Sequence, residues 1–184
     1  MGMGLANAQL FIELKHSGKL DNANKIAELG SQEIHIKQTD LSNLFAEAGL
    51  KEPDFSLFPD LDNWPQYPRC STKPFYEFLG INEYTSIDSN GEHGSIKHDW
   101  NSPFSDQKLF NQFDVVTDFG SAEHVFNIVE PYRTLHKLCR PGGLIVISQA
   151  LWGGNGFFLM DRPFVDGIAA ANNYKVISIS YVAQ

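Results

Sequence analysis

"FDVVTDFG", residues 113–120, and "LIVISQA", residues 144–150, are strand-like runs in which apolar residues follow one another instead of alternating with polar ones. A strand with one face in water alternates with period two, whereas a strand covered on both faces has no need to. Both runs therefore read as inner strands of a sheet with helices on each side. Between them, "SAEHVFNIVEPYRTLHKLC" (121–139) carries a helical pattern, with Pro131 either kinking it or dividing it in two. "RPGG" (140–143) reads as a turn.

Working outward, the same alternation of strand and helix recurs. "LANAQLFIELKHSGKL" (5–20) has Leu5, Leu10, Phe11 and Leu14 at roughly helical spacing, with Gly18 as a stop. "KIAELG" (25–30) is a short strand, "LSNLFAEAGL" (41–50) a helix ending near Gly49, and "STKPFYEFLG" (71–80) a short helix capped by Ser71 or Thr72. "EYTSID" (83–88) and "GSIKHDWN" (94–101) are strands that end in acids. "RPFVDGIAAANN" (162–173) is a helix and "YKVISISYVA" (174–183) a last strand. Strands alternating with helices imply βαβ units. The expected fold is α/β, a Rossmann-like three-layer sandwich with a mostly parallel sheet of six or seven strands and helices on both faces. One domain spans residues 1–184. Residues 36–70 form an insert whose second half, "KEPDFSLFPDLDNWPQYPRC" (51–70), has no period and is rich in Pro, Asp and aromatics. A loop that long in a compact domain usually has a task. Phe55, Phe58, Trp64 and Tyr67 suit a lid over a pocket, or equally a loop that tucks its aromatics into a small core of its own.

The charge balance bounds the partners. With 14 Lys and Arg against 22 Asp and Glu, the formal net charge is −8, and the basic residues are scattered. Nucleic-acid binding needs a basic stripe, so it is not expected. Hydrophobic content of 42% and charged content of 20% fit a soluble globular protein. The length allows one domain with a substantial core. Cys70 and Cys139 make no disulfide framework, which favours a reducing, cytoplasmic setting. No apolar run approaches a membrane span, and the start lacks a basic-then-apolar leader layout. Oligomeric state stays open.

In a sheet of this kind ligands sit at the carboxyl ends of the strands, near the switch point. That places Gly30, Asp88, Asp99 and Asp118-Phe119-Gly120 together. Asp88 closes the second strand, where a carboxylate accepts from both hydroxyls of a ribose, or simply suits a turn. Asp99 closes the third, where an acid accepts from an adenine amine and Trp100 offers a flat wall; the plain alternative is a turn cap and a core indole. A phosphate-bearing cofactor wants a glycine-rich loop at a helix N-terminus. After the first strand this chain has only Gly30, followed by Ser31 and Gln32. An adenosine cofactor without phosphates accounts for that absence. His16, His35, His93, His98 and His136 show no metal-ligand spacing, so no metal is expected. No Gly-x-Ser-x-Gly elbow is present.

"FDVVTDFGSAEHVFN" (113–127) followed by "YRTLHKLCRPGGLIVIS" (132–148) resembles the fourth- and fifth-strand region of class I S-adenosylmethionine-dependent methyltransferases, closest to the type-11-like, small-molecule branch. Glu123-His124-Val125 and Arg140-Pro141-Gly142-Gly143 match two places of that family, the second more specifically than the first. The resemblance covers residues 20–182, most securely 75–150. It implies that Glu28 and Gly30 face the methionine part of S-adenosylmethionine, with Ser31 and Gln32 standing where further glycines are usual. It implies that Asp88, with Ser89 beside it, holds the ribose, and that Asp99 and Trp100 hold the adenine. Phe119 and Gly120 would lie against the cofactor, and His124 would act as a base or substrate contact, or else position its loop. Trp152, Phe157 and Phe158 in "ALWGGNGFF" (150–158) form a second candidate wall for the acceptor. The thin first motif, the long insert and a last strand that reads as the sixth, not the seventh, depart from the family. The implied activity is methyl transfer to a small molecule by in-line displacement. The rivals are an inactive methyltransferase-like binding domain and a nicotinamide-dependent oxidoreductase, the latter lacking its phosphate cradle.

Overall fold

In the computed structural model, which describes residues 2–151, 153 and 155–182, the elements follow one another as β1 (Gly2–Met3), α1 (Leu5–His16), β2 (Lys25–Leu29), β3 (Glu33–Ile34), α2 (Gln38–Glu47), α3 (Lys73–Phe78), β4 (Glu83–Asp88), β5 (Ile96–Lys97), β6 (Phe113–Phe119), α4 (Val129–Leu138), β7 (Cys139–Ser148) and α5 (Arg162–Ala171). Five strands form one sheet in the order β5-β4-β2-β6-β7. Every pairing in it is parallel. β1 and β3 form a separate parallel pair, joined to Ser71 by an isolated bridge from Glu33.

Strand periodicity sorts the core into two halves. Ile26, Val115, Phe119 and Val146 pack with Phe11 and Ile12 of α1, Phe45 of α2 and Phe75 and Tyr76 of α3. Ala27, Leu29, Ile87 and Val116 point the other way and pack with Leu135 and Leu138 of α4, Trp100 and Phe104. Helices therefore cover both faces, and the inner strands are apolar on both sides as parallel strands require. Phe113 sits on the α4 side two residues before Val115, which sits on the α1 side. The register shift between Phe113 and Val115 where they meet β7 accounts for this change of face.

Among the described residues the main sheet has five strands, not six or seven. Residues 174–182 lie in no strand. Their β-branched composition suits a pleat, but a strand exists only with a partner edge, and here Val176, Ile177, Tyr181 and Val182 remain exposed. "RPGG" is not a separate turn: the strand begins at Cys139 and passes through it, with Gly142 at φ +79. The 121–139 segment is divided ahead of Pro131: one 3-10 turn covers Ala122–His124 and α4 starts only at Val129, which puts the proline in the first turn of α4, where its missing N–H costs nothing. No helix among the described residues is long and apolar enough to cross a membrane.

Candidate functional site at the strand ends

The strand order reverses between β2 and β6, so the crevice beyond their carboxyl ends is the topological switch point. Gly30 stands on one side of it at φ +90, with its N–H donating to Ile87 O at 2.8 Å. A Cβ at this position would overlap Ser121 Oγ on the other side, so only glycine fits. Ser121 Oγ donates to Leu29 O at 2.6 Å, and Gln32 Nε2 donates to Leu29 O at 2.7 Å and to Ser121 Oγ at 2.8 Å. The two sides are thus tied by side chains. Gln32 is 1% exposed, and its carboxamide oxygen has no partner among the described residues. A buried acceptor left unpaired is costly and calls for an explanation.

Asp88, at the end of β4, faces the same loop. Its Oδ2 accepts from Ser31 N at 2.8 Å and Ser31 Oγ at 3.1 Å. Its Oδ1 has only longer bonds, from Ser89 Oγ at 3.2 Å and Asn90 N at 3.3 Å. Gly120 (φ +74) follows β6 and donates its N–H to Ser148 O at 2.8 Å. Gly30, Ser31, Gln32, Asp88, Ser89 and Gly120 therefore gather around the strand ends, with Ser121 added. No helix starts directly after β2: β3 follows, and α2 begins at Gln38.

Other expected site residues stand elsewhere. Glu28 does not face the crevice. It is fully buried on the α3 side, where Thr72 Oγ1 (2.6 Å), Tyr76 OH (2.6 Å) and Tyr84 OH (2.7 Å) all donate to its carboxylate. Burial raises its pKa, and the hydroxyl bonds from Thr72, Tyr76 and Tyr84 oppose the rise. Phe119 points into the first core, edge-on to Phe11 at 6.2 Å. This follows from period two: in β6, Thr117 and Phe119 share the face of Val115. Trp100 is a core indole, stacked on Phe104 with its N–H unpartnered. Asp99 is exposed and caps its own turn, accepting from Asn101 N at 2.9 Å and Asn101 Nδ2 at 3.0 Å. Those bonds lower its pKa.

His124 ends the turn after β6, with Nε2 3.5 Å from Glu123 Oε1. Glu123 is itself buried and organises the segment that follows β7. Its Oε2 accepts from Ala150 N, its backbone oxygen accepts from Phe157 N and Phe158 N, and its backbone and side chain leave no room for a Cβ at Gly156. Phe157 is exposed and Phe158 half-buried, while Trp152 lies outside the described residues. Asp118 lies beneath, fully buried. Its Oδ1 accepts from Ser121 N at 2.9 Å and Ala122 N at 3.1 Å, and its Oδ2 accepts from Gln149 Nε2 at 2.5 Å. Burial pushes its pKa up to about 7, helped by the nearby Glu123 and opposed by the N–H bonds of Ala122 and Ser121.

Of the insert's aromatics Phe58 is buried, Phe55 and Trp64 are half-buried and Tyr67 is 68% exposed. Phe58 and Leu61 join the first core. Trp64 stacks on His35 at 3.7 Å, and the Arg69 guanidinium lies over Trp64 and Tyr67. Arg69 Nη1 donates to the buried Glu33 at 2.9 Å, and His35 and His93 stand 3.6 and 3.7 Å from the same carboxylate.

Ser121 was the residue least visible in the sequence, whereas Asp118 and Glu123 stood out only by their place at a strand end and in a short motif. Ser121 bridges only because Gly30 is a glycine, a pairing across 91 positions that no local pattern announces. Among the described residues no group of His, Cys, Asp or Glu could hold a metal ion. No family model, no curated protein and no solved structure matches this chain.

Proposed function

We propose that the chain binds S-adenosylmethionine at the β2/β6 switch point and transfers its methyl group to a small-molecule acceptor. Gln32 carries this reading. Its buried, unpartnered oxygen beside Gly30 wants a hydrogen-bond donor, and the amino-acid end of S-adenosylmethionine brings an ammonium. Asp88 fits the same ligand, since its loosely held Oδ1 is free to accept from ribose hydroxyls. A dinucleotide fits less well. Its pyrophosphate needs free amides at a helix N-terminus after the first strand. Here the N–H groups of Gly30 and Ser31 are already used, and a strand follows instead of a helix.

The bound donor supplies an already activated methyl group. The chain has only to hold it, orient the acceptor and exclude water. Gln32 and Asp88 do the holding. His124, with Glu123 beside it, contacts the acceptor and takes its proton where the acceptor must lose one. Small-molecule substrates, rather than nucleic acid, suit the net charge of −8. A cytoplasmic setting suits Cys70 and Cys139, both buried free thiols.

A second reading rests on Ser121. Its hydroxyl closes the crevice between Leu29 O and Gln32 Nε2, as it would in a methyltransferase-like domain without turnover. Thermal melting with S-adenosylhomocysteine separates the two. At about 100 times Kd, binding raises the melting temperature by roughly 5–10 °C. Asp88→Ala abolishes the shift, while His124→Ala, on the acceptor side, keeps it. A wild-type chain that melts unchanged at saturating ligand contradicts the cofactor site.

A further inference from the structure

β7 is the last strand of the sheet, and no described strand pairs with its outer edge. Beside it, between α4 and α5, runs a groove of about 370 Å³ floored by Ile145 and Ile147 and walled by Tyr132, Leu135, Phe164 and Ile168. No Asp or Glu lines it, in a chain that carries 22 of them. The segment that leaves this groove has the complementary character. Tyr174 is anchored, its N–H donating to Ala169 O at 2.8 Å and its hydroxyl 2.5 Å from His136 Nδ1. From there Ile177, Ile179 and Tyr181 recur with period two on one side of the segment, with Val176, Ser178, Ser180 and Val182 on the other. Ile177 and Tyr181 are 52% and 59% exposed. An open strand edge and an exposed strand-forming segment are the two halves of one pairing, and neither is satisfied among the described residues.

We propose that this face is where two copies of the chain meet, with residues 175–182 of each copy added along β7 of the other and its apolar side laid into the groove. The exchange is reciprocal, so the same contacts form twice and the assembly closes as a two-fold pair. The occupant is a second copy rather than an acidic partner's surface patch or a ligand because the fitting segment belongs to this sequence. The groove is also the acid-free part of an acidic molecule, where two like-charged copies repel least.

Light scattering on the full chain after gel filtration tests this. The expected mass is twice 20.6 kDa. Ser178→Pro removes a strand N–H from the donor segment, and Ile168→Glu puts a charge in the groove. Each change raises the dimer dissociation constant at least tenfold, with circular dichroism unchanged because both sites lie away from the core. Mixing the two variants restores a dimer, since one intact segment meets one intact groove. A mass of 20.6 kDa at every concentration overturns the proposal. So does a dimer that both variants leave intact, or a mixture of the two variants that stays monomeric.

Discussion

Asp118 shows how a residue's role depends on what folding takes away from it. The carboxylate gives up water at the end of β6 and receives two backbone N–H bonds and the Gln149 amide in return. The exchange is incomplete, so the folded chain binds its proton up to about pH 7, against 3.8 for the free group. Between those values the folded state holds more protons than the unfolded one. The stability Asp118 lends is therefore present in full below about pH 4 and is lost as pH rises to 7, as much as ~4 kcal/mol. Asp118→Asn should remove this slope. Its oxygen keeps the Ser121 and Ala122 bonds, and once the Gln149 carboxamide turns over its amide donates to Gln149 Oε1, which has no partner among the described residues of the wild type. Denaturant melts at pH 5 and 8 should show the variant gaining on wild type at the higher pH; parallel curves for the two proteins would contradict the argument. Sequence reading located Asp118 beside a strand end but did not choose it, because burial and a carboxylate's neighbours are not local properties. Gly30 and Asp88 were legible because each marks a strand end in its own right. Glu28 and Phe119 were misplaced for one reason: strand period decides which face a residue takes, and both lie on the α1–α3 side.

At the scale of elements, α1, α2, α5 and the four longer strands were legible from apolar spacing and from glycine or proline at their ends. The insert was not, since its contacts are with distant segments. Arg69 holds it. The guanidinium bonds Pro65 O through Nε and Nη2, stacks on Tyr67 and Trp64, and pairs with Glu33, which is 5% exposed. Arg69→Ala should cost about 3 kcal/mol, because it leaves a buried carboxylate without its main partner. The loss should be local first. Hydrogen exchange at residues 52–68 should quicken while amides of β2 and β6 stay protected. Uniform acceleration across the sheet, or none in the insert, would show that Arg69 does not secure it. The last strand was misread for the opposite reason: its composition suits a strand, but among the described residues it pairs with no edge.

For the whole molecule, the parallel sheet follows from two apolar runs, and the switch point follows from the order in which the strands are laid. That order brings Asp88 and Ser121, both far along the chain, to the crevice beside Gly30 and Gln32. An adenosine cofactor without phosphates is the ligand proposed for this crevice. Isothermal titration of the wild-type chain with S-adenosylhomocysteine, alongside the same titration with NAD, tests it most directly. Saturable one-site binding of S-adenosylhomocysteine that Asp88→Ala weakens at least tenfold is expected, with no heat of binding from NAD. Saturable binding of NAD in place of S-adenosylhomocysteine, or no binding of either, would contradict it.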